Sequence, residues 1–422
     1  MSNSIKDQIK VIGKNKDYKA LVSNFSYLTL LQVAGYVFPL ITIPYLSRVI
    51  GAAGLGRIAF GAAVVTWFMS VSTWGFNFTA TRDAARNRND QKELSRIFSN
   101  VIWARSFLSL LCFVVILILI AIIPSFRENW LVILITYLTI PVSIIFPEWL
   151  FQALERMKYI TILSLCSKLI FTLAIFVFVK KPDDYYLEPL FGVIGGTVAG
   201  AIALYLIIKK WKIKVMKPDF QTIFMTINNG KDVFINNFMP NLYNSMSVVL
   251  LGSFWGNAAT GILSAGSKCL DICYQFMNIL ARTFFPFLSR HGEKHHVYVK
   301  ISTILSLCLS IFLFVAAPLL IHIFYTEEFN DAILLARILS ISLFFMTISN
   351  AYGTNYLILK GKEKPLRNIT MICSVIGFCL AVPLIHQWGY LGAAITITAV
   401  RGATALAIWT YSQRVRIAEI NK

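Results

Sequence analysis

Apolar residues run along this chain in blocks of about eighteen or more, divided by short polar segments, from near residue 24 to residue 411. Each block is long enough to carry a helix across about 30 Å of hydrocarbon. Polarity does not alternate residue by residue within the blocks, as the strands of a membrane barrel would require. Lipid offers no hydrogen-bond partner to a bare backbone, so blocks of this kind must be helical. The pattern predicts twelve spans, near 24–47, 57–80, 101–123, 130–151, 160–179, 187–208, 233–254, 258–281, 300–324, 332–357, 368–387 and 389–411. The expected fold class is an all-α polytopic membrane protein.

The spans fall into two sets of six around a basic stretch, Lys209–Lys231. This predicts an N-terminal lobe over 1–208, a basic cytoplasmic linker over 209–232 and a C-terminal lobe over 233–422. Gly51, Gly56 and Gly61 enclose the turn after span 1, and Gly256, Gly261 and Gly266 enclose the turn after span 7, each pair 205 residues apart. Six is an even number, so both sets enter the membrane with the same orientation. The expected arrangement is a parallel pseudo-twofold repeat about the membrane normal.

Composition agrees with the membrane reading, with 57% hydrophobic and only 14% charged residues in 422. The net charge of +19 would suit nucleic acid if it formed a patch, but it is dispersed through the segments between spans and no nucleic-acid motif accompanies it. Counted by side, 28 of the lysines and arginines outside the spans fall on one face and five on the other. Cytoplasmic loops carry such an excess, so both termini are expected in the cytoplasm. The polar start, with Lys6, Lys10, Lys14, Lys16 and Lys19, lacks the apolar core of a cleavable leader. All seven cysteines lie within apolar runs, which argues against disulfides, and Cys269/Cys273 read as helix packing rather than a metal site. His291, His295 and His296 read as a solvated loop. No phosphate-binding glycine loop or dinucleotide turn is present, and no cofactor or metal is expected.

Prolines fall inside several spans: Pro39 and Pro44 in span 1, Pro141 and Pro147 in span 4, Pro240 in span 7, Pro318 in span 9 and Pro383 in span 11. Each removes a backbone hydrogen bond and favours a bend, and the pair in span 1 makes it the leading hinge candidate. Six cations remain within or at the ends of the spans, of which Lys168, Lys268 and Arg401 lie nearest the middle. A lipid-facing charge at that depth costs roughly 2.5–3.5 kcal/mol. Arg105, Arg282 and Arg337 lie close enough to helix ends to snorkel to the interface. Lys268 and Asp271 stand three residues apart on one helix face, and Glu148 and Asp271 are the interior acids. With Arg48 and Arg57 above them, Lys168, Lys268 and Arg401 would line a cationic cavity suited to an anionic head group such as a diphosphate.

The run from Phe38 to Gly51 (FPLITIPYLSRVIG), continuing through Gly54-Leu55-Gly56 to Phe60, resembles polysaccharide flippases of the Wzx type in the multidrug/oligosaccharidyl-lipid/polysaccharide exporter superfamily. Pro147–Glu155 and Leu359–Lys364 add weaker support, and the resemblance extends over the chain in length, span count and repeat. It implies two six-helix lobes in a V and alternating access to a central cavity. It further implies a non-enzymatic flippase carrying undecaprenyl-diphosphate-linked oligosaccharide across the bacterial cytoplasmic membrane for O-antigen or related polymers. Similar lipid II flippases use arginines of spans 1, 2 and 8, which points to Arg48, Arg57 and Lys268 here. A proton or sodium ion is the implied coupling ion, with Asp271 and Glu148 available to carry it; membrane lipids, a polysaccharide polymerase and a chain-length regulator are the implied partners. Two rivals remain open. A cation antiporter of the same fold would need acids in its cavity, and a glycan polymerase or ligase would need a large outer loop. A non-transporting scaffold is a further alternative.

Overall fold

The computed structural model describes residues 16–290 and 294–420; His291 lies outside them. Every regular element among the described residues is a helix. Among the described residues, ten helices are long and apolar enough to cross a membrane. Two of these are too long for one passage: Val233–Ala281 has 49 residues and Glu363–Ala418 has 56. At 1.5 Å per residue they would extend roughly 74 and 84 Å, more than twice the hydrocarbon thickness. Each reverses at a glycine in the left-handed region, Gly256 with φ 82° and Gly389 with φ 54°. Ten helices with two internal reversals give twelve crossings, as the hydrophobic blocks predict.

The prolines do not act alike. Span 1 is one helix, Lys16–Val49, running through Pro39 and Pro44. Helices likewise continue through Pro318 and Pro383. Span 4 is broken instead, into Trp130–Tyr137, Thr139–Ile145 and Glu148–Ala153, with Pro147 outside helical geometry between the last two. Span 7 is preceded by a helix, Phe220–Phe238, that stops at a tight turn, Met239–Leu242, containing Pro240. The backbone between spans 6 and 7 is strapped to the helix of span 3, Gln91–Ile122. Lys214 N donates to Ser95 Oγ (3.1 Å), Met216 N to Ser99 Oγ (2.7 Å) and Trp103 Nε1 to Met216 O (2.9 Å). These bonds satisfy polar backbone that has no helix to belong to.

The buried apolar side chains gather into two bodies. One is built from spans 7 to 12 around Leu263, Leu313, Phe329, Leu343 and Ile385. The other lies in the first half, around Phe76, Phe98, Trp149 and Ile160 and around Phe60, Ile116 and Ile140. They join where the first turn of each half crosses the other. A Cβ on Gly56 would stand 1.6 Å from Asn257 O, and one on Gly261 would stand 2.2 Å from Ala52 O. Ala52 and Asn257, like Gly56 and Gly261, are 205 residues apart. The contact is therefore reciprocal, the signature of a twofold relation. Lipid supplies no hydrophobic drive between helices, so bare backbones in van der Waals contact supply much of the attraction. Gly61 packs on Val132 of span 4 and Gly266 on Leu335 and Ala336 of span 10, extending the correspondence.

Gly56→Ala and Gly261→Ala are each expected to lower the melting temperature of the purified protein by several degrees, because backbone must move to admit the methyl group. Gly192→Ala, where an added Cβ meets nothing within 4 Å, serves as the neutral comparison. Equal melting temperatures for all three would show that the crossing is not a tight contact.

Candidate functional site

The crossing closes one end of the bundle. Ser47 Oγ donates to Phe324 O (3.1 Å), Ala52 N to Glu328 Oε2 (3.0 Å) and Asn257 Nδ2 to Glu128 Oε1 (3.1 Å), each bond tying one half to the other. On the other side of this closure lies a cavity of about 320 Å³ between spans 1 and 8. Gly35, Pro39, Leu40 and Ile43 line it from span 1; Lys268, Asp271 and Gln275 line it from span 8. A proline has no N–H for the carbonyl four residues before it. The carbonyls so deprived by Pro39 and Pro44 are those of Gly35 and Leu40, both in the lining. The two prolines thus leave polar backbone at the wall of a hollow inside a membrane helix.

Lys268 and Asp271 are both solvent-accessible, on one face of their helix as their spacing predicts. Lys168, from span 5, reaches to 3.9 Å from the position a Cβ on Gly35 would occupy. Arg401 lies further into the second half, donating to Ser342 Oγ (2.9 Å) and Asn244 Oδ1 (3.2 Å). Acids accompany all three cations: Glu148 is within electrostatic range of Lys168, and Asp271 of both Lys268 and Arg401. Glu188, at the start of the span 6 helix Leu187–Tyr205, is within range of Lys268. A cavity lined by cations alone is therefore not what the fold builds. Three cations and three acids share the region, yet among the described residues none of these six forms an ion pair within 4.0 Å. Lys168 and Lys268 form no hydrogen bond among the described residues, so their donors stay available.

Glu188 was not singled out from the sequence because it stands at a helix start, where an acid is commonplace. Only the three-dimensional arrangement, which brings Glu188 within electrostatic range of Lys268, reveals it. The two remaining candidates sit at the closed end. Arg57 donates to Tyr185 Oη (2.7 Å), lies over that ring at 4.8 Å and approaches Glu128 at 3.8 Å. Arg48 is exposed and donates back to Pro44 O of its own helix (3.1 Å). Neither is part of the cavity lining that holds Lys268. The snorkelling expectation fails for Arg105, which is buried and donates to Ser143 O and Oγ at 3.0 and 2.7 Å. Arg337 instead lies over the Phe314 ring, 5.4 Å from its centre; the Arg282 side chain lies outside the described ones. Among the described residues no group of three histidines, cysteines or acids could hold a metal ion.

A family model described as polysaccharide biosynthesis protein matches residues 21–292. Two curated relatives bear the name "Putative O-antigen transporter". The one from Escherichia coli (strain K12) is 26% identical over 393 residues, 91% of this chain and 95% of that one. The one from Shigella dysenteriae is 25% identical, over 89% of this chain and 95% of its own length. Among solved structures, the lipid II flippase MurJ in an inward closed conformation superimposes with a TM-score of 0.69 over 91% of this chain and 87% of that one, at 13% identity. An inward-facing multidrug resistance MATE family transporter of the MOP superfamily gives 0.60 over 93% and 95%, at 16% identity. At such identities these two structures establish a shared fold.

A wet cavity at this depth predicts how thiols placed there react. In a cysteine-free background, Asp271→Cys is expected to react with a water-soluble thiol reagent in membranes more than an order of magnitude faster than Leu270→Cys, whose side chain is 2% exposed. Similar rates at the two positions would mean that water does not reach the cavity.

Proposed function

The chain belongs to the polysaccharide biosynthesis protein family, and from that footing we propose that it is a flippase for undecaprenyl-diphosphate-linked oligosaccharide, moving repeat units from the inner to the outer leaflet of the bacterial cytoplasmic membrane for O-antigen or related surface polymers. It is a transport protein and not an enzyme, in keeping with the transporter names of its relatives. The observation that carries the proposal is Lys268: a solvent-accessible ammonium in the cavity between the halves, with no ion pair within 4.0 Å among the described residues. A charge at this depth is retained for use. Lys168 on the facing half gives a second compact positive charge, and a diphosphate spanning the two would be held from both sides.

The balance of three cations against three acids bears on coupling. An empty, formally neutral site is cheaper to keep in a membrane than a cationic one. A diphosphate entering it adds negative charge, which favours proton uptake by a nearby acid. Asp271, beside both Lys268 and Arg401, is the acid best placed to take that proton. Loading the head group would then load the coupling ion by charge balance.

In this reading residues 1–208 and 233–422 act as lobes, with 209–232 as the cytoplasmic link between them. The glycine crossing is the outer gate, which Arg57 braces through Glu128, and the cavity faces inward. Rocking about the crossing would open the outer side while the prenyl tail stays in lipid between the lobes. Pro39 and Pro44 give span 1 the weakened backbone needed to flex where it borders the cavity.

Lys268→Gln is expected to abolish surface polysaccharide in complementation of a flippase-deficient strain, with membrane insertion unchanged. Asp271→Asn is expected to stall export, whereas Arg48→Gln, outside the cavity lining, should export at close to the parental level. Full surface polymer from Lys268→Gln would remove this cavity from the transport path.

A further inference from the structure

A second hollow lies within the first half, between spans 2, 3 and 4. It consists of two joined pockets of about 390 and 330 Å³ that share Met69, Thr73 and Thr139. Together they fall in the usual range for a small-molecule site, roughly 300–1,000 Å³. Arg105, Ser143 and Glu148 line one part, and Thr66, Ser70 and Thr136 line the other. The proposed transport cavity includes none of these residues.

Arg105 is the anomaly in this hollow. It is 4% exposed, and both of its terminal nitrogens are satisfied by one residue, Ser143. Its Nε is buried with no hydrogen-bond partner, and among the described residues no carboxylate lies within 4.0 Å of its guanidinium. Thr136 Oγ1 is likewise buried without a partner, and Thr73 lines both pockets. A buried arginine left without a counter-ion is expensive, and so is each unpaired polar atom. Ser143 engages two of the three guanidinium nitrogens and leaves the third, Nε, without a partner.

Glu148 lies in the same hollow and decides which ligand suits it. Its carboxylate would repel a phosphate or an acidic group drawn by Arg105. A hydroxyl, which both donates and accepts, can use the two together, with threonine hydroxyls between them. Met69, Val142 and Phe146 supply apolar wall for the C–H faces that a sugar ring also presents. Glu148 is, moreover, within electrostatic range of Lys168, which reaches toward Gly35 in the lining of the transport cavity. Glu148 and Lys168 thus give the hollow an electrostatic link to the place where the diphosphate is proposed to sit.

Resting on the flippase reading, we propose that this hollow is the sugar subsite. A pyranose of the head group lies with its hydroxyls between Arg105 Nε, which donates, and Glu148, which accepts. Its diphosphate extends toward Lys168 and Lys268.

The test compares two probes on the full-length protein in lipid nanodiscs: bare undecaprenyl diphosphate, and the same lipid carrying one N-acetylhexosamine. The wild type is expected to hold the glycosylated lipid roughly tenfold more tightly, the worth of one or two net hydrogen bonds. Arg105→Gln should bring the two affinities to within about twofold. Thr73→Val, close in shape and less exposed to misfolding, should narrow the gap in the same direction. A gap that persists in both variants, or one missing from a wild type that binds both lipids, overturns the sugar subsite and leaves the flippase reading standing. A wild type that binds neither lipid overturns the flippase reading itself, and this subsite with it.

Discussion

Two helix turns cross at one end of this bundle with backbone against backbone, and the rest of the architecture is arranged around that contact. Gly56 lies on Asn257 and Gly261 on Ala52, with no room for a side chain at either glycine. Side chains at those positions would hold the halves apart and dismantle the hydrogen bonds from Ser47 to Phe324 and from Ala52 to Glu328. In lipid, contact of this closeness replaces the hydrophobic drive that would join two lobes in water. The halves also meet along spans 2 and 7, where Trp67 Nε1 donates to Asn241 O (3.1 Å) and Asn241 Nδ2 to Ser70 Oγ (2.9 Å), while spans 1 and 8 form two walls of a cavity.

That cavity can hold charge in a bilayer because its charges are compensated without being consumed. A contact ion pair between Lys268 and Asp271 would satisfy both groups and leave little for a ligand. Placed on one helix face but not in contact, the two lower each other's burial penalty while keeping their hydrogen-bonding capacity. Glu148 and Lys168 stand in a similar relation across spans 4 and 5. Arg401 differs: Ser342 and Asn244 hold it, which makes it a brace within the second half that also sets the field at Asp271. Arg57 performs the corresponding service at the closed end.

Much of the fold was legible in the sequence because hydrophobic length and the lipid's lack of hydrogen-bond partners leave few alternatives. The paired glycines carried the repeat for the same reason, since turns and close helix approach both demand glycine. What escaped was contact between residues distant in sequence. Nothing in the sequence distinguished Arg57, which has a carboxylate near it, from Arg48, which turns back on its own helix. Arg105 lay near enough to a helix end to suggest snorkelling, and only the packing of spans 3 and 4 shows it buried on Ser143. Glu188 went unnoticed because its importance comes from span 8. Proline positions were readable but not their effects: Pro147 breaks its helix while Pro39 and Pro44 do not.

Passage of a phosphorylated lipid head group through a cavity with loosely compensated charge is the step on which the proposed function depends. Reconstitution tests it most directly. Purified protein would be placed in vesicles whose inner leaflet carries a labelled undecaprenyl-diphosphate glycolipid, and the label's arrival at the outer surface would be timed. Arrival is expected to be faster than in protein-free vesicles and faster still under an imposed proton gradient. Arrival no faster than in protein-free vesicles, with the protein folded and inserted, would contradict it.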